Sequence, residues 1–211
     1  MIITVTPNAA LDVTYHVDEL RPQHSHRVRA VHQRAGGKGV NVASVLALMG
    51  HEVVTTGFAG GATGTRIRAD LDVRGLRHRL VESDGESRRT INVVSAADGE
   101  ATIFNEPGPQ VPAARWQDLL DDLCRLLDST ADPVVVLSGS LPRGVPTDAY
   151  AEMITLCRGR GAGAIVDTSG APLLSAISAG PDLVKPNTAE VFEAVAIQDP
   201  VQGAAELRRG G

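Results

Sequence analysis

The sequence predicts an α/β fold, a doubly wound parallel-sheet core that carries a small β-sheet extension. Three observations carry that expectation. The second half alternates short apolar strands with helical stretches, the rhythm of βα units in a parallel sheet. The first half interrupts that rhythm with strands that have one polar face. Polar punctuation falls at the carboxyl ends of the strands, the rim on which open α/β sheets bind ligands.

Residues 2–6 read as a short buried strand ended by Pro7-Asn8. Residues 13–18 and 27–33 alternate and suit strands with one wet face. Val42, Val45, Leu46 and Met49 fall at i, i+3, i+4 and i+7, which predicts a helix over about 39–49 that Gly50 stops. Residues 52–59 form a second apolar strand, and a helix follows through Leu71 to about Arg74. Residues 87–97 and 101–105 are rich in strand formers and flank Asp98-Gly99, a dipeptide suited to a type I′ hairpin turn. The clearest helix spans 112–129, with Trp116, Leu119, Leu120, Leu123 and Leu127 on one face. Beyond it come strand 134–137, helix 146–158, strand 164–167, a short helix from Ala171, strand 182–185 and helix 188–196.

At 211 residues and 43% hydrophobic, the chain can bury the core of one sizeable domain. The net charge of −5 and the lack of a dense Lys/Arg cluster argue against nucleic acid or an anionic membrane as partner. Aromatics at 3% are too few for base-stacking platforms. Cys124 and Cys157 sit among apolar helical neighbours and read as small buried hydrophobes, which fits a reducing cytoplasm. Met1-Ile2-Ile3-Thr4-Val5 lacks the regions of a signal peptide, and no apolar run approaches the ~20 residues of a membrane span.

The segment Ala35-Gly36-Gly37-Lys38-Gly39-Val40-Asn41-Val42-Ala43 joins two glycines, a lysine and a helix start. Unpaired N–H groups, the helix dipole and an ammonium all favour an anion there. The segment reads equally well as a turn that caps a helix. Other polar groups cluster at strand ends: Thr6-Pro7-Asn8 with Asp12, Ser138-Gly139-Ser140, Asp167-Thr168-Ser169-Gly170, and Lys185-Pro186-Asn187 with Glu190. Asn187 and Glu190 share a face at a helix start. They could supply hard oxygen ligands for Mg²⁺, or simply cap the helix.

The motifs Thr6-Pro-Asn-Ala-Ala-Leu-Asp12, Ala35 to Ala43, Asn105-Glu-Pro-Gly-Pro109, Leu137-Ser-Gly-Ser-Leu-Pro142, Asp167-Thr-Ser-Gly170 and Lys185-Pro-Asn-Thr-Ala-Glu190 run in order along nearly the whole chain. As a set they resemble the PfkB (ribokinase-like) carbohydrate kinases, in the 1-phosphofructokinase and tagatose-6-phosphate kinase branch. The resemblance implies a three-layer ribokinase-like core with a lid whose strands come from about 12–34 and 87–106, all within one domain over 1–211. It implies ATP-dependent phosphoryl transfer to a sugar phosphate, foremost fructose 1-phosphate to fructose 1,6-bisphosphate, with tagatose 6-phosphate or another sugar as the alternative.

The resemblance also assigns roles. Asp12 would hold sugar hydroxyls, and Gly37, Lys38 and Asn41 would contact sugar and phosphate. Ser138 would close over the substrate, Lys185 and Asn187 would touch the nucleotide, and Asn187 with Glu190 would serve Mg²⁺. Two copies would pair through their lid strands. The family often shows Thr-Arg-x-Asn on a lid strand. Here Arg88-Arg89-Thr90-Ile91-Asn92 sets the arginine one position early, and a one-residue offset turns a side chain to the other face. Arg89 and Asn92 are the lid candidates. A Gly-Ala-Gly-Asp-like loop, which would supply the aspartate that takes the hydroxyl proton, is absent from the 211 residues. The expectation is therefore an incomplete fold, lacking its C-terminal part, with little or no activity alone. The alternative is a catalytically dead remnant that binds sugar phosphate.

Overall fold

A computed structural model describes residues 1–210. In chain order its elements are β1 (Ile2–Thr6), β2 (Ala10–Val17), β3 (Ala30–Gly36), α1 (Lys38–Leu48), β4 (Val53–Ala59), α2 (Gly61–Val73), β5 (His78–Glu82), β6 (Arg88–Ser95) and β7 (Ala101–Asn105). There follow α3 (Ala113–Asp128), β8 (Val134–Ser138), α4 (Ala149–Arg158), β9 (Gly163–Asp167), α5 (Gly170–Ser178), β10 (Leu183–Val184), α6 (Thr188–Val195) and α7 (Pro200–Arg209).

Six strands form the central sheet in the order β10-β9-β8-β1-β4-β5, and every pairing is parallel. Both faces of its middle must be covered, so its strands read as apolar runs. On one face α3 and α4 close a core through Trp116, Leu119, Leu123, Tyr150 and Met153. Each fully buried leucine there contributes roughly 1.5–3 kcal/mol. On the other face α1 and α2 contribute Val40, Ile67 and Leu71. That second core continues into Leu11, Val13 and Ala35, and so fastens a second sheet to the first. No helix is long and apolar enough to cross a membrane among the described residues.

The second sheet has the order β3-β2-β6-β7. Its central pair, β2 with β6, is parallel, and both outer pairings are antiparallel. Alternation divides each strand between two faces. Leu11, Val13 and Ile91 face the core. Asp12, Thr90 and Asn105 stand opposite one another on the other face.

The structure departs from the sequence reading in six places, two of them being shifts of three residues at the start of β2 (Ala10, not 13) and of α4 (Ala149, not 146). Strand β3 lies three residues later than expected, because Ala35 and Gly36 pair with Leu11 and Ala10 and carry the strand into the glycine loop. The β6–β7 connection is residues 96–100 rather than a two-residue turn. A type I′ turn needs two positive φ values, and only Gly99 has one (φ 74°). Strand β5 and helix α7 were not anticipated. For α7 a signal was present, since Asp199 accepts from the Val201 and Gln202 N–H groups and Pro200 occupies the first turn.

Candidate active site

The carboxyl ends of β1, β8 and β9, the start of α1 and the lid strands enclose a cavity of about 740 Å³. Its floor is set by β1. Past Thr6 the chain turns, and Asn8 is buried with its Nδ2 donating to Ser140 Oγ (3.0 Å). Asp12 faces the cavity from β2. Burial raises its carboxyl pKa above the ordinary value, partly countered by Arg34, a hydrogen bond with Thr90, and Arg88.

The glycine loop exists for Asp12 and Thr6 as much as for any ligand. A Cβ on Gly36 would stand 2.0 Å from Asp12 Oδ2. Gly37 has φ +107°, where a side chain is strained, and its Cβ would meet Thr6 Cγ2 at 2.8 Å. The loop thus lets the carboxylate lie flat against backbone, then delivers Lys38 and Asn41 to the same cavity at the start of α1. The Gly37 carbonyl accepts from the Asn41 N–H (2.9 Å), so the segment is a helix start as well as a cavity wall.

Lys38 is the meeting point of the two sides. Its Nζ donates to Asp167 Oδ1 (2.9 Å) at the end of β9 and to Glu190 Oε1 (3.1 Å) in α6. Burial lowers its pKa, but those two hydrogen bonds outweigh burial and hold it above the usual lysine value. Lys185 Nζ reaches the other Asp167 oxygen at 3.4 Å and remains largely exposed. Asn187 and Glu190 form a capping box: Asn187 Oδ1 accepts from the Glu190 N–H (2.9 Å), and Glu190 Oε2 accepts from the Asn187 N–H (2.8 Å). Glu190 lines the cavity, whereas Lys185 and Asn187 lie on the same rim outside its wall.

Asp12, Gly37, Lys38, Asn41, Asn92 and Glu190 are therefore gathered around one space. Two expectations need correction. Ser138 is fully buried, and its Oγ has no partner. Strand β8 continues through residue 138, so its side chain stays within the sheet, and Gly139 and Ser140 form the wall instead. Gly139 is held there by its carbonyl, which accepts from Tyr150 Oη and Thr168 Oγ1 (2.9 Å each). Arg89 points away from the cavity. It pairs with Leu11 in register and so shares the core-facing side of the lid. There it is 54% exposed and bound to Glu106 (Nη2 to Oε1, 2.7 Å). Arg88, Thr90 and Asn92, two residues apart, form the face that meets the cavity. The presence of Asn92 on that face was the signal that could have identified Arg88.

An oxygen-rich cavity under a lid, at the carboxyl rim of a doubly wound parallel sheet, defines a small-molecule-binding protein of the ribokinase-like α/β class. The chain belongs to the pfkB carbohydrate kinase family, whose pattern matches residues 4–208. It is 40% identical over 193 residues to a 1-phosphofructokinase of Xanthomonas campestris pv. campestris, covering 90% of this chain and 60% of that protein. Phosphofructokinase-2 from Escherichia coli, solved in complex with fructose-6-phosphate, superposes with a TM-score of 0.90 at 30% identity, over 100% of this chain and 70% of that one. An Arabidopsis thaliana ribokinase, at 18% identity and a TM-score of 0.72 over 100% of this chain and 69% of its own, shares the fold. The chain spans 60% of the length of the Xanthomonas relative.

Proposed function

We propose that the cavity binds a phosphorylated sugar and serves ATP-dependent phosphoryl transfer to it, with fructose 1-phosphate the acceptor and fructose 1,6-bisphosphate the product. The observation that carries this reading is the placement of the Asp12 carboxylate and the Lys38 ammonium on one lid-covered cavity. A carboxylate accepts from two sugar hydroxyls, and an ammonium holds a phosphate as a point charge. The activities for which those relatives are named support the same substrate class.

In the reaction the O6 oxygen attacks the terminal phosphorus. The new O–P bond forms as the bond to ADP breaks, and the hydroxyl proton leaves to a base. The chain's own work is positioning and charge neutralisation. Asp12, Asn41 and Asn92 orient the sugar, while Lys38, Lys185 and Asn187 face the phosphates from the other rim. The Asp167 and Glu190 carboxylates converge on one cation-sized position, which Lys38 Nζ takes. Lys38 thus fills the gap between those two carboxylates, and Mg²⁺ would be served by Asn187 and Glu190 through its retained waters, where it would neutralise phosphate charge. The exposed Ile103 and Phe104 on the lid support pairing of two copies there.

A second reading, sugar-phosphate binding without turnover, is favoured by one observation: of the three carboxylates lining the cavity, Glu106 and Glu190 are ion-paired with Arg89 and Lys38, and Asp12 is given to the sugar hydroxyls. A coupled ADP-release assay with fructose 1-phosphate and MgATP, run beside calorimetric titration with the sugar phosphate, separates the two. Turnover supports transfer by this chain. Binding without turnover supports the second reading, and absence of both sinks the sugar-phosphate assignment. Running the titration with tagatose 6-phosphate ranks the acceptors.

A further inference from the structure

The central sheet has a second cavity at its opposite end. Where the amino ends of β1, β4 and β5 meet the end of α3 lies a cleft of about 830 Å³, large enough for a small ligand. It shares no residue with the sugar-phosphate cavity. The Arg77 carbonyl accepts from the Thr55 N–H (3.0 Å), which carries the β5 pairing back to Arg77. Arg77 and Arg79 therefore share one face of the strand, and both border the cleft. They are held in different ways. Arg79 is fixed, because its Nε and Nη2 both donate to the buried carboxylate of Asp122 on α3 (Nε to Oδ1, 3.0 Å). Arg77 is tied only to Glu52 (Nη1 to Oε1, 2.7 Å), and the two side chains are 62% and 64% exposed. Among the described residues, Arg79 Nη1 and Arg77 Nη2 have no hydrogen-bond partner.

The charges there do not cancel. Arg125 also leans on Asp122 (3.5 Å), so three arginines meet two carboxylates and one positive charge is left over. An exposed pair such as Arg77 with Glu52 contributes about 0–1 kcal/mol, so a dianion displaces Glu52 at little cost. Two guanidinium forks on one space match the oxygens of a phosphate monoester. Met1, Val54 and Leu126 give the cleft an apolar floor for the group that the phosphate carries. From this arrangement we infer that the cleft is a second ligand site, in which Arg77 and Arg79 hold the phosphate of a sugar phosphate or a mononucleotide. Glu52 occupies Arg77 until that phosphate arrives. The site stands apart from the sugar-phosphate cavity and does not depend on the function proposed for it.

The test is titration of nitrogen-15-labelled chain with inorganic phosphate, fructose 1-phosphate and AMP, read by backbone amide shifts. The amides of Val54, Thr130 and Ala131 report this cleft, and those of Gly37 and Asn41 report the other cavity. Saturable shifts are expected at the cleft with all three probes. Arg77→Gln removes only an exposed ion pair, so it keeps the fold, and it is expected to weaken binding at the cleft roughly tenfold, the scale of a charge-assisted hydrogen bond. Arg79→Lys leaves Asp122 a cation but loses the fork, and is expected to weaken it too. Glu52→Gln removes the competing carboxylate and is expected to tighten it. Shifts at Gly37 and Asn41 should be the same in all three variants as in the parent. The inference is overturned if the parent shows no saturable shift at the cleft, if Arg77→Gln binds there as the parent does, or if Glu52→Gln binds there more weakly. Fructose 1-phosphate or AMP binding more tightly than inorganic phosphate supports the site and names the group carried; neither doing so overturns the monoester assignment.

Discussion

The floor of the cavity and its lid carry similar polar side chains, yet they are held in different ways. On the floor, counting with it the start of the lid strand β2 that packs against it, Asn8 is buried and bonded to Ser140, Lys38 is tied to two carboxylates, and Asp12 lies against a glycine backbone. On the lid, Asn105 and Ile103 are exposed, and the side-chain hydrogen bond between Thr90 and Asn105 is long (3.4 Å). The floor is an outgrowth of the packed core and shares its constraints. The lid buries a single face, through Leu11, Val13 and Ile91, and leaves the other for a ligand. Changes to the floor should therefore alter stability and binding together, while changes to the outer lid should alter neither greatly.

The sharpest way to break this comparison is Gly36→Ala. The added methyl would meet Asp12 Oδ2 at 2.0 Å, so either strand β3 or the carboxylate must move. Overpacking of this kind costs about 1–3 kcal/mol. The melting temperature is expected to fall by several degrees, and fructose 1-phosphate affinity with it. Unchanged affinity would show that Asp12 is not held where the floor places it.

Asp12→Asn should separate the two properties. Burial raises the Asp12 pKa, so the native state binds its proton more tightly than the unfolded chain does. That stabilisation is fully present below the unfolded value of about 3.8 and is lost as pH rises through the folded one. At pH 7 the ionised carboxylate is a net burden. Asp12→Asn is expected to melt higher than the parent at pH 7, with the gap closing in acid, while sugar-phosphate affinity falls roughly ten- to hundredfold. A lower melting temperature at pH 7 would count against this account of the floor.

The smallest effect is expected from Val31→Ser on the outer lid strand β3. Val31 is 51% exposed and lies outside the cavity wall, so the change should leave stability within about 0.5 kcal/mol and binding within a few-fold, read by thermal melting and titration. A large loss of stability would mean that the lid is bound into the core more tightly than its contacts indicate.

The same division governs how much was legible in the sequence. Val134-Val135-Val136-Leu137 and the Trp116–Leu127 stripe announce a buried strand and a core helix, because burial on both faces or on one fixes the spacing of apolar residues. Strand β5 was not legible, since His78-Arg79-Leu80-Val81-Glu82 occupies a sheet edge and needs few apolar side chains. The floor residues Asp12, Lys38 and Asn41 were found because their local motifs carry them. Ser138 was misjudged because nothing local tells which residue of Ser138-Gly139-Ser140 ends the strand. Arg88 was passed over for Arg89 because strand parity decides between them, and parity becomes fixed only once Asn92 is known to face the cavity.

The parallel pairing of β2 with β6 has one more consequence, for modularity. Between those strands in the chain lie α1, β4, α2 and β5, all parts of the core. The lid is therefore not a contiguous insert that can be excised, grafted or exchanged as a cassette. A break anywhere within residues 60–80 would leave Asp12 on one fragment and Arg88 and Asn92 on the other. Recombination between relatives must take both lid segments from the same parent to keep the cavity face in register.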